Sequence, residues 1–294
     1  MATGEDPLIV TIIGTCRVHH PLRKMQEMGL IELNNGGMGS FIHSTPEAML
    51  RLNVLQGLNE YKEDLVKLQV GETKELKLKP DEDFNFNRTQ ILVVEISTIK
   101  VISSMGNPLQ FNEVNRHLCT PYGEFGVELR KNINHAYNGR KSHVSVPEVD
   151  IPENFPTDYI ELISSLRPQV LDEVGIFSGL KQIIDAAEIP VLLVNHINLP
   201  GKDGNKINSR NRLCKMINNY GEKNGISVFN PEVMFEVHRR EDLLMKEGED
   251  LNHYAKDKLD IVGFELMKSI NSVCLLYTSP SPRDLMRSRM PSSA

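Results

Sequence analysis

Polar clusters stand directly after apolar runs at several points in the chain, and their residue types suit nucleophilic acyl chemistry. Gly14-Thr15-Cys16-Arg17 follows the run Pro7 to Ile13, with His19 and His20 close behind. Gly36, Gly37 and Gly39 follow a second apolar stretch, Ser97 and Thr98 a third, and Asn195 and His196 a fourth, while Asp250-Leu-Asn-His253-Tyr254 lies nearer the end. Attack on an acyl carbonyl needs a nucleophile, a base to take its proton, a third group that fixes the base's tautomer, and donors aimed at the developing oxyanion. Cys16, His253 and Asp250 supply the first three. A thiol ionises more readily than a serine hydroxyl, and closeness to His253 or to a helix N-terminus is expected to lower its pKa further. The intermediate would be a thioester that passes its acyl group to water or to another hydroxyl.

Each of these residues also has a plainer reading. Cysteine commonly packs as a small hydrophobe, the reading given to Cys119 and Cys214; Cys16 stands apart by its place directly after the first strand. The glycines satisfy either a turn that demands positive φ or an oxyanion site. Arg17 binds a ligand carboxylate or phosphate, or makes a salt bridge. Adjacent histidines diverge on regular structure, so His19 and His20 are read as surface or substrate contacts rather than metal ligands. His43, His196 and His238 are substrate contacts or hydrogen-bonded structure.

The elements that must position these groups follow from periodicity. Pro7 to Gly14, Leu30 to Leu33, Ile91 to Ile96, Pro190 to Val194 and Ile226 to Phe229 are short, β-branched apolar runs, the pattern of strands buried on both faces. Helices are expected from His20 to Gly29, with proline in the first turn, and after Ser44-Thr-Pro-Glu47, which has capping-box spacing. Others are expected from Pro168 to Glu188, around Leu213 to Tyr220 with a stop before Gly225, and from Lys256 to Ile270. Alternating strands and amphipathic helices predict a three-layer α/β/α sandwich on a five-stranded parallel sheet, flavodoxin-like, with right-handed crossovers. In such sheets ligands bind outside the carboxyl ends of the strands, the rim on which the clusters above converge. Lys100 to Asn154 lacks a sustained period and is expected to be an insertion over the sheet's edge or mouth, the kind of loop that forms lids.

Composition narrows the partners. The chain has 294 residues, 40% of them hydrophobic, with Lys+Arg 33 and Asp+Glu 39 for a formal net charge of -6. That field repels phosphate backbones, so nucleic acid is not an expected partner and a neutral or cationic small molecule suits it better. No apolar run approaches the roughly 20 residues of a membrane span. Met1 to Asp6 is acidic and lacks the basic start of a signal peptide, so cytoplasmic residence is expected. Cys16, Cys119, Cys214 and Cys274 form no C-x-x-C pair, which argues against a disulfide scaffold or thiolate zinc site. No glycine-rich dinucleotide or P-loop motif follows a strand, and no cofactor or metal is expected.

With these positions set, the chain resembles the SGNH/GDSL hydrolase superfamily, especially its divergent branch with a Gly-Ser-Cys or Gly-Asn-Cys start, which includes proteins assigned as polysaccharide acyltransferases. Over residues 7 to 272 the likeness is one of architecture. Gly14-Thr15-Cys16 stands in the place of the Gly-Asp-Ser block that carries the nucleophile. Gly37 or Gly39 matches the second-block glycine whose amide serves the oxyanion. Asp250-x-x-His253 followed by Tyr254 matches the final block, where histidine is the base and aspartate orients it. Val93 to Lys100 departs from the third block, usually Gly-x-Asn-Asp, with Ile99 at the oxyanion asparagine; Asn195 or Thr98 is the candidate replacement donor. The resemblance implies an acyl-ester hydrolase or O-acyltransferase acting on an acetylated carbohydrate, with an acyl-coenzyme A as candidate donor. The alternative is a degenerate fold that binds glycans without turnover.

Cys274 to Ala294 reads CLLYTSPSPRDLMRSRMPSSA. Cys274 to Asp284 matches the translation of a transposase sequencing adapter, and Ser288 to Ala294 matches its downstream constant region in the frame set by an intervening index. The expectation is one domain over residues 1–273 followed by an adapter-derived tail.

Overall fold

The computed structural model describes residues 6–38, 41–70, 77–139 and 144–278. Along the chain lie β1 (Leu8–Ile13), α1 (Cys16–Glu27), β2 (Ile31–Leu33), α2 (Thr45–Leu55), α3 (Val66–Val70), β3 (Ile91–Glu95), β4 (Lys100–Ser104), β5 (Asn107–Leu109), α4 (Phe111–Val114) and α5 (Gly123–Tyr137). Then come α6 (Asp158–Ser165), β6 (Leu166–Val170), α7 (Glu173–Ala187), β7 (Val191–Val194), α8 (Asn208–Asn224), β8 (Val228–Phe229), α9 (Arg240–Leu243) and α10 (Leu259–Thr278).

Five strands form an all-parallel sheet in the order β2-β1-β3-β7-β8. That is the doubly wound order of flavodoxin-like folds, with the switch point between β1 and β3. Strand alternation sends side chains to two cores. Val10, Ile12, Ile91, Val93, Leu192 and Val194 pack under α1 and α10, and Ile13, Leu92, Val94, Val191 and Leu193 pack under α2, α7 and α8. Both faces are covered, so the central strands β1, β3 and β7 read as near-continuous apolar runs.

The stretch expected as an irregular insertion is a lobe with its own core. β4 pairs antiparallel with β5 and with β6, so the lobe runs on to Val170. Phe125, Leu129, Ile133 and Tyr137 of α5 close the core beside Leu109 and Leu166. Their four-residue spacing is a helical period that the surrounding Asn, Gly and His obscure.

Two expected helices begin elsewhere. Residues 168–170 belong to β6, and α7 starts only after Asp172, whose carboxylate accepts from the Gly175 N–H at 2.9 Å. The first helix starts at Cys16 rather than His20, because Thr15 is extended and its hydroxyl accepts from the Arg17 N–H; Pro21 sits inside the helix. At the other end α10 runs through Cys274, which is half-buried against the α1-side core. Residues 279–294 lie outside the described residues.

The β1–α1 turn packs against the end of β3 so closely that Gly14 has no room for a side chain. A Cβ there would sit 2.7 Å from Val18 Cγ2 and 2.8 Å from Glu95 Cβ. Gly14→Ala is expected to destabilise the fold by about 1–3 kcal/mol, as overpacking does, read as a lower urea midpoint with an unchanged m-value.

Candidate active site

Cys16 is the first residue of α1, and both of its neighbours are fastened to one carboxylate. Glu95, the last residue of β3, is 0% exposed. Its Oε2 accepts from the Thr15 N–H at 2.9 Å and the Thr15 hydroxyl at 2.5 Å, and its Oε1 accepts from Arg17 Nε at 2.5 Å. Arg17 therefore makes the salt bridge, and it donates in addition from Nη1 to the Asn252 carbonyl at 3.3 Å. Burial pushes the Cys16 thiol above its ordinary value; Arg17 pulls it down and Glu95 pushes it up again. The expectation of a lowered thiol pKa is thus overturned, because removal of the sulfur from water outweighs the guanidinium beside it.

The histidine expected as base lies on the segment before α10. His253 is half-exposed, with Nδ1 at 2.9 Å from Asp250 Oδ2. With Nδ1 donating to that carboxylate, Nε2 carries the free lone pair. Hydrogen bonding to His253, against the cost of its own burial, holds the Asp250 carboxyl below its usual range. Arg210 of α8 fixes this segment by donating to the Leu251 carbonyl at 3.1 Å and to Asn252 Oδ1 at 2.7 Å.

Cys16, Arg17, Gly37, Thr98 and His253 all line one cavity of about 1090 Å³ at the carboxyl ends of the strands. Asp250 supports His253 from behind. The insertion lobe supplies a wall through Lys100, Phe111, Asn112 and Arg116. Gly37 has φ +65°, a Cβ there would meet Asp81 Oδ2, and its N–H finds no acceptor among the described residues; turn and amide readings meet in one residue. Thr98 accepts from the Lys100 N–H at 3.0 Å, which leaves its hydroxyl proton to donate. Asn195 is not brought to the cavity: its amide donates to Asn218 of α8 at 2.7 Å. A rim position does not fix which way a side chain points, and here a polar partner on α8 decides it. Gly39 lies outside the described residues.

The cavity wall is cationic although the chain is acidic. Arg17, Arg23, Lys100, Arg116 and Arg210 line it against Glu47 and Glu113. Among its lining residues the rings of His19 and His20 flank Phe41 at 5.9 and 6.0 Å between centroids. The preference for a neutral or cationic ligand, drawn from net charge, does not hold at this cavity.

A second histidine faces the same space. His43 Nδ1 lies 2.9 Å from the Ser97 hydroxyl, and burial with Arg17 nearby lowers its pKa. His43 sits just before α2, where Glu47 accepts from the Ser44 hydroxyl at 2.6 Å and the His43 N–H at 3.1 Å. The expected capping box does not form: the Ser44 hydroxyl makes no bond to the helix backbone and donates to Glu47 instead, and the glutamate reaches the His43 N–H rather than that of Ser44.

Comparison with known proteins shows the family. The family model of the TviD N-terminal domain matches residues 8–269. The chain belongs to the TviD N-terminal domain family. It is 23% identical over 271 residues to the Vi polysaccharide biosynthesis protein TviD of Salmonella typhi, covering 89% of this chain and 31% of that protein. The chain thus spans about a third of that relative's length. Among solved structures, an SGNH-hydrolase-type protein from Slackia heliotrinireducens aligns over 90% of this chain and 99% of its own, at 8% identity and a TM-score of 0.43.

In this TviD-type domain, sequence reasoning missed Glu95 and Arg210. Glu95 had a signal: it is the lone charge in Ile91-Leu-Val-Val-Glu-Ile96, and a carboxylate inside a strand buried on both faces must have built partners. Arg210 had none, since nothing in its neighbourhood separates it from a solvated helix arginine.

Burial raises the Glu47 carboxyl from 4.5 to about 7, against hydrogen bonds from Ser44 and His43 that lower it. A folded-state pKa above the unfolded one means that the stabilising share is complete below about pH 4.5 and is lost as pH rises through about 7. Glu47→Gln keeps an acceptor and removes the ionisation. Between about pH 5 and 8 the wild type should lose up to roughly 3 kcal/mol relative to this variant, in urea melts at each pH.

Proposed function

We propose that the domain removes or transfers an acyl group, most simply acetyl, on a carbohydrate through Cys16, with His253 as base and Asp250 as its orienting carboxylate. The observation that carries this reading is the convergence of Cys16 at the start of α1 and the His253–Asp250 pair on one cavity. The similarity to a polysaccharide biosynthesis protein supports a carbohydrate substrate. The SGNH resemblance of the first, second and last blocks supports ester chemistry.

The thiol rests in its protonated form, so the base must act in the step itself. His253 Nε2 takes the thiol proton as sulfur attacks the acyl carbonyl. The tetrahedral oxyanion draws on the Gly37 N–H and the Thr98 hydroxyl. The bond to the departing group breaks as that group receives the proton from His253, leaving a thioester on Cys16. Water or a sugar hydroxyl then attacks, giving its proton to His253, and the thiol is restored when that proton returns to sulfur. The cationic wall selects a partner with negative charge, and an acyl-coenzyme A donor, which brings phosphates, meets that requirement. The Phe41 ring with His19 and His20 gives the cavity a stacking surface for a sugar face.

A second reading, a glycan-binding module without turnover, draws on the raised thiol pKa and on Ile99 at the position of the oxyanion asparagine. Hydrolysis of an aryl acetate separates the two. Cys16→Ala should abolish turnover while the melting temperature is kept, and His253→Ala should reduce kcat by about 10²–10⁴-fold. Added salt should raise KM for an anionic ester more than for a neutral one. Undiminished turnover in Cys16→Ala overturns the nucleophile; saturable glycan binding with no turnover and no thioester mass establishes the binding module.

A further inference from the structure

The carboxylate beneath the cavity does more than neutralise an arginine. Glu95 holds the residue on each side of Cys16: Thr15 through its N–H at 2.9 Å and its hydroxyl at 2.5 Å, and Arg17 through Nε at 2.5 Å. The same guanidinium reaches across to the carbonyl of Asn252, the residue before His253, at 3.3 Å. Gly14 lacks the Cβ that would keep the turn off Glu95. We infer that Glu95 is a positioning residue that sets the spacing between Cys16 and His253, an inference that rests on the acyl-transfer reading above.

The physical case is one of connectivity. The nucleophile lies on the turn after β1 and the base on a segment more than two hundred residues later, so no local structure relates them. One fully buried side chain bonds to both residues flanking the first and, through Arg17, reaches the carbonyl of the residue before the second. Displacements of about 1 Å between reacting groups cost on the order of 100-fold in rate. A carboxylate with all its donors fixed in a water-free site is suited to prevent such a shift.

Positioning and simple electrostatics make opposite predictions. Glu95 raises the thiol's pKa and Arg17 lowers it, so removing the Glu95 charge alone eases ionisation and speeds both alkylation and turnover. Loss of positioning instead lowers turnover, although the thiol ionises more readily. The test uses Cys16 alkylation by iodoacetamide across pH, located by peptide mapping, together with aryl acetate kinetics. The proteins are wild type, His253→Ala, Glu95→Gln and the double variant Glu95→Gln/His253→Ala. In Glu95→Gln the expected result is a kcat lower by on the order of 100-fold with KM little changed. Its alkylation profile should move to lower pH and no longer respond to His253→Ala, so the two substitutions are non-additive.

A Glu95→Gln protein that keeps its kcat and its dependence on His253 overturns the positioning role and leaves the acyl-transfer reading intact. Wild-type turnover and alkylation that are both indifferent to His253→Ala overturn the acyl-transfer reading itself, and the role of Glu95 with it. Should Glu95→Gln fail to fold, because Arg17 is left as an unpaired buried charge, Glu95→Gln with Arg17→Met removes both charges. This pair is expected to restore a cooperative melt with the same kcat loss, and recovered turnover there overturns the proposal.

Discussion

One buried carboxylate governs how the chain enters its first helix. Glu95 is 0% exposed at the end of a strand with a core on each face. Losing one partner of such a pair typically costs about 3–5 kcal/mol, because it strands the other charge. The surroundings are built to avoid that cost: Thr15 supplies two donors, Arg17 a third, and the turn approaches through a glycine. The start of α1 follows from these contacts, since Thr15 can cap the helix only while Glu95 holds it extended. Cys16 is therefore the first helical residue for a reason located eighty residues downstream.

The sheet was legible from the chain alone because burial on both faces leaves a direct signature. Its five runs were apolar and β-branched, and each was bounded by glycine, proline or a polar cluster. The convergence of Cys16 and His253 was legible for a related reason, since strand ends in a parallel sheet share one rim. What escaped was set by partners far away in sequence. Pro21 pointed to a helix start that Glu95 and Thr15 move upstream. Residues 166–170 carry Pro168 and are strand only because β4 lies beside them. Asn195 stands on the rim, yet Asn218 turns its amide away.

Net charge misled for a physical reason. A formal -6 over 294 residues describes the far field, whereas a ligand in a cleft responds to the charges within a Debye length, about 8 Å at physiological salt. There the arginines dominate, and they are held on this wall by structure. Arg17 is tied to Glu95, Arg210 to the carbonyls of Ile197 and Leu251, and Arg116 to Glu113 at 3.0 Å. Burial, and after it the neighbouring Arg17, lowers Arg210 to about 10. A cavity that keeps them so crowded gains most from a ligand that brings negative charge.

The thiol's raised pKa bears on the order of events in the site. A resting thiolate would meet Arg17 as an ion pair already formed before substrate arrives. Here burial favours the protonated sulfur, and Glu95 opposes the pull of Arg17. In the proposed acyl transfer, ionisation belongs to the reaction step, where His253, bonded to Asp250, would take the proton as the carbonyl oxygen gains charge. His253 is half-exposed and the Cys16 thiol on the same cavity half-buried, which suits a proposed base open to exchange protons and a proposed nucleophile shielded from water. The buried Glu95–Arg17 pair thus holds the geometry of the turn while its two charges act in opposite directions at sulfur.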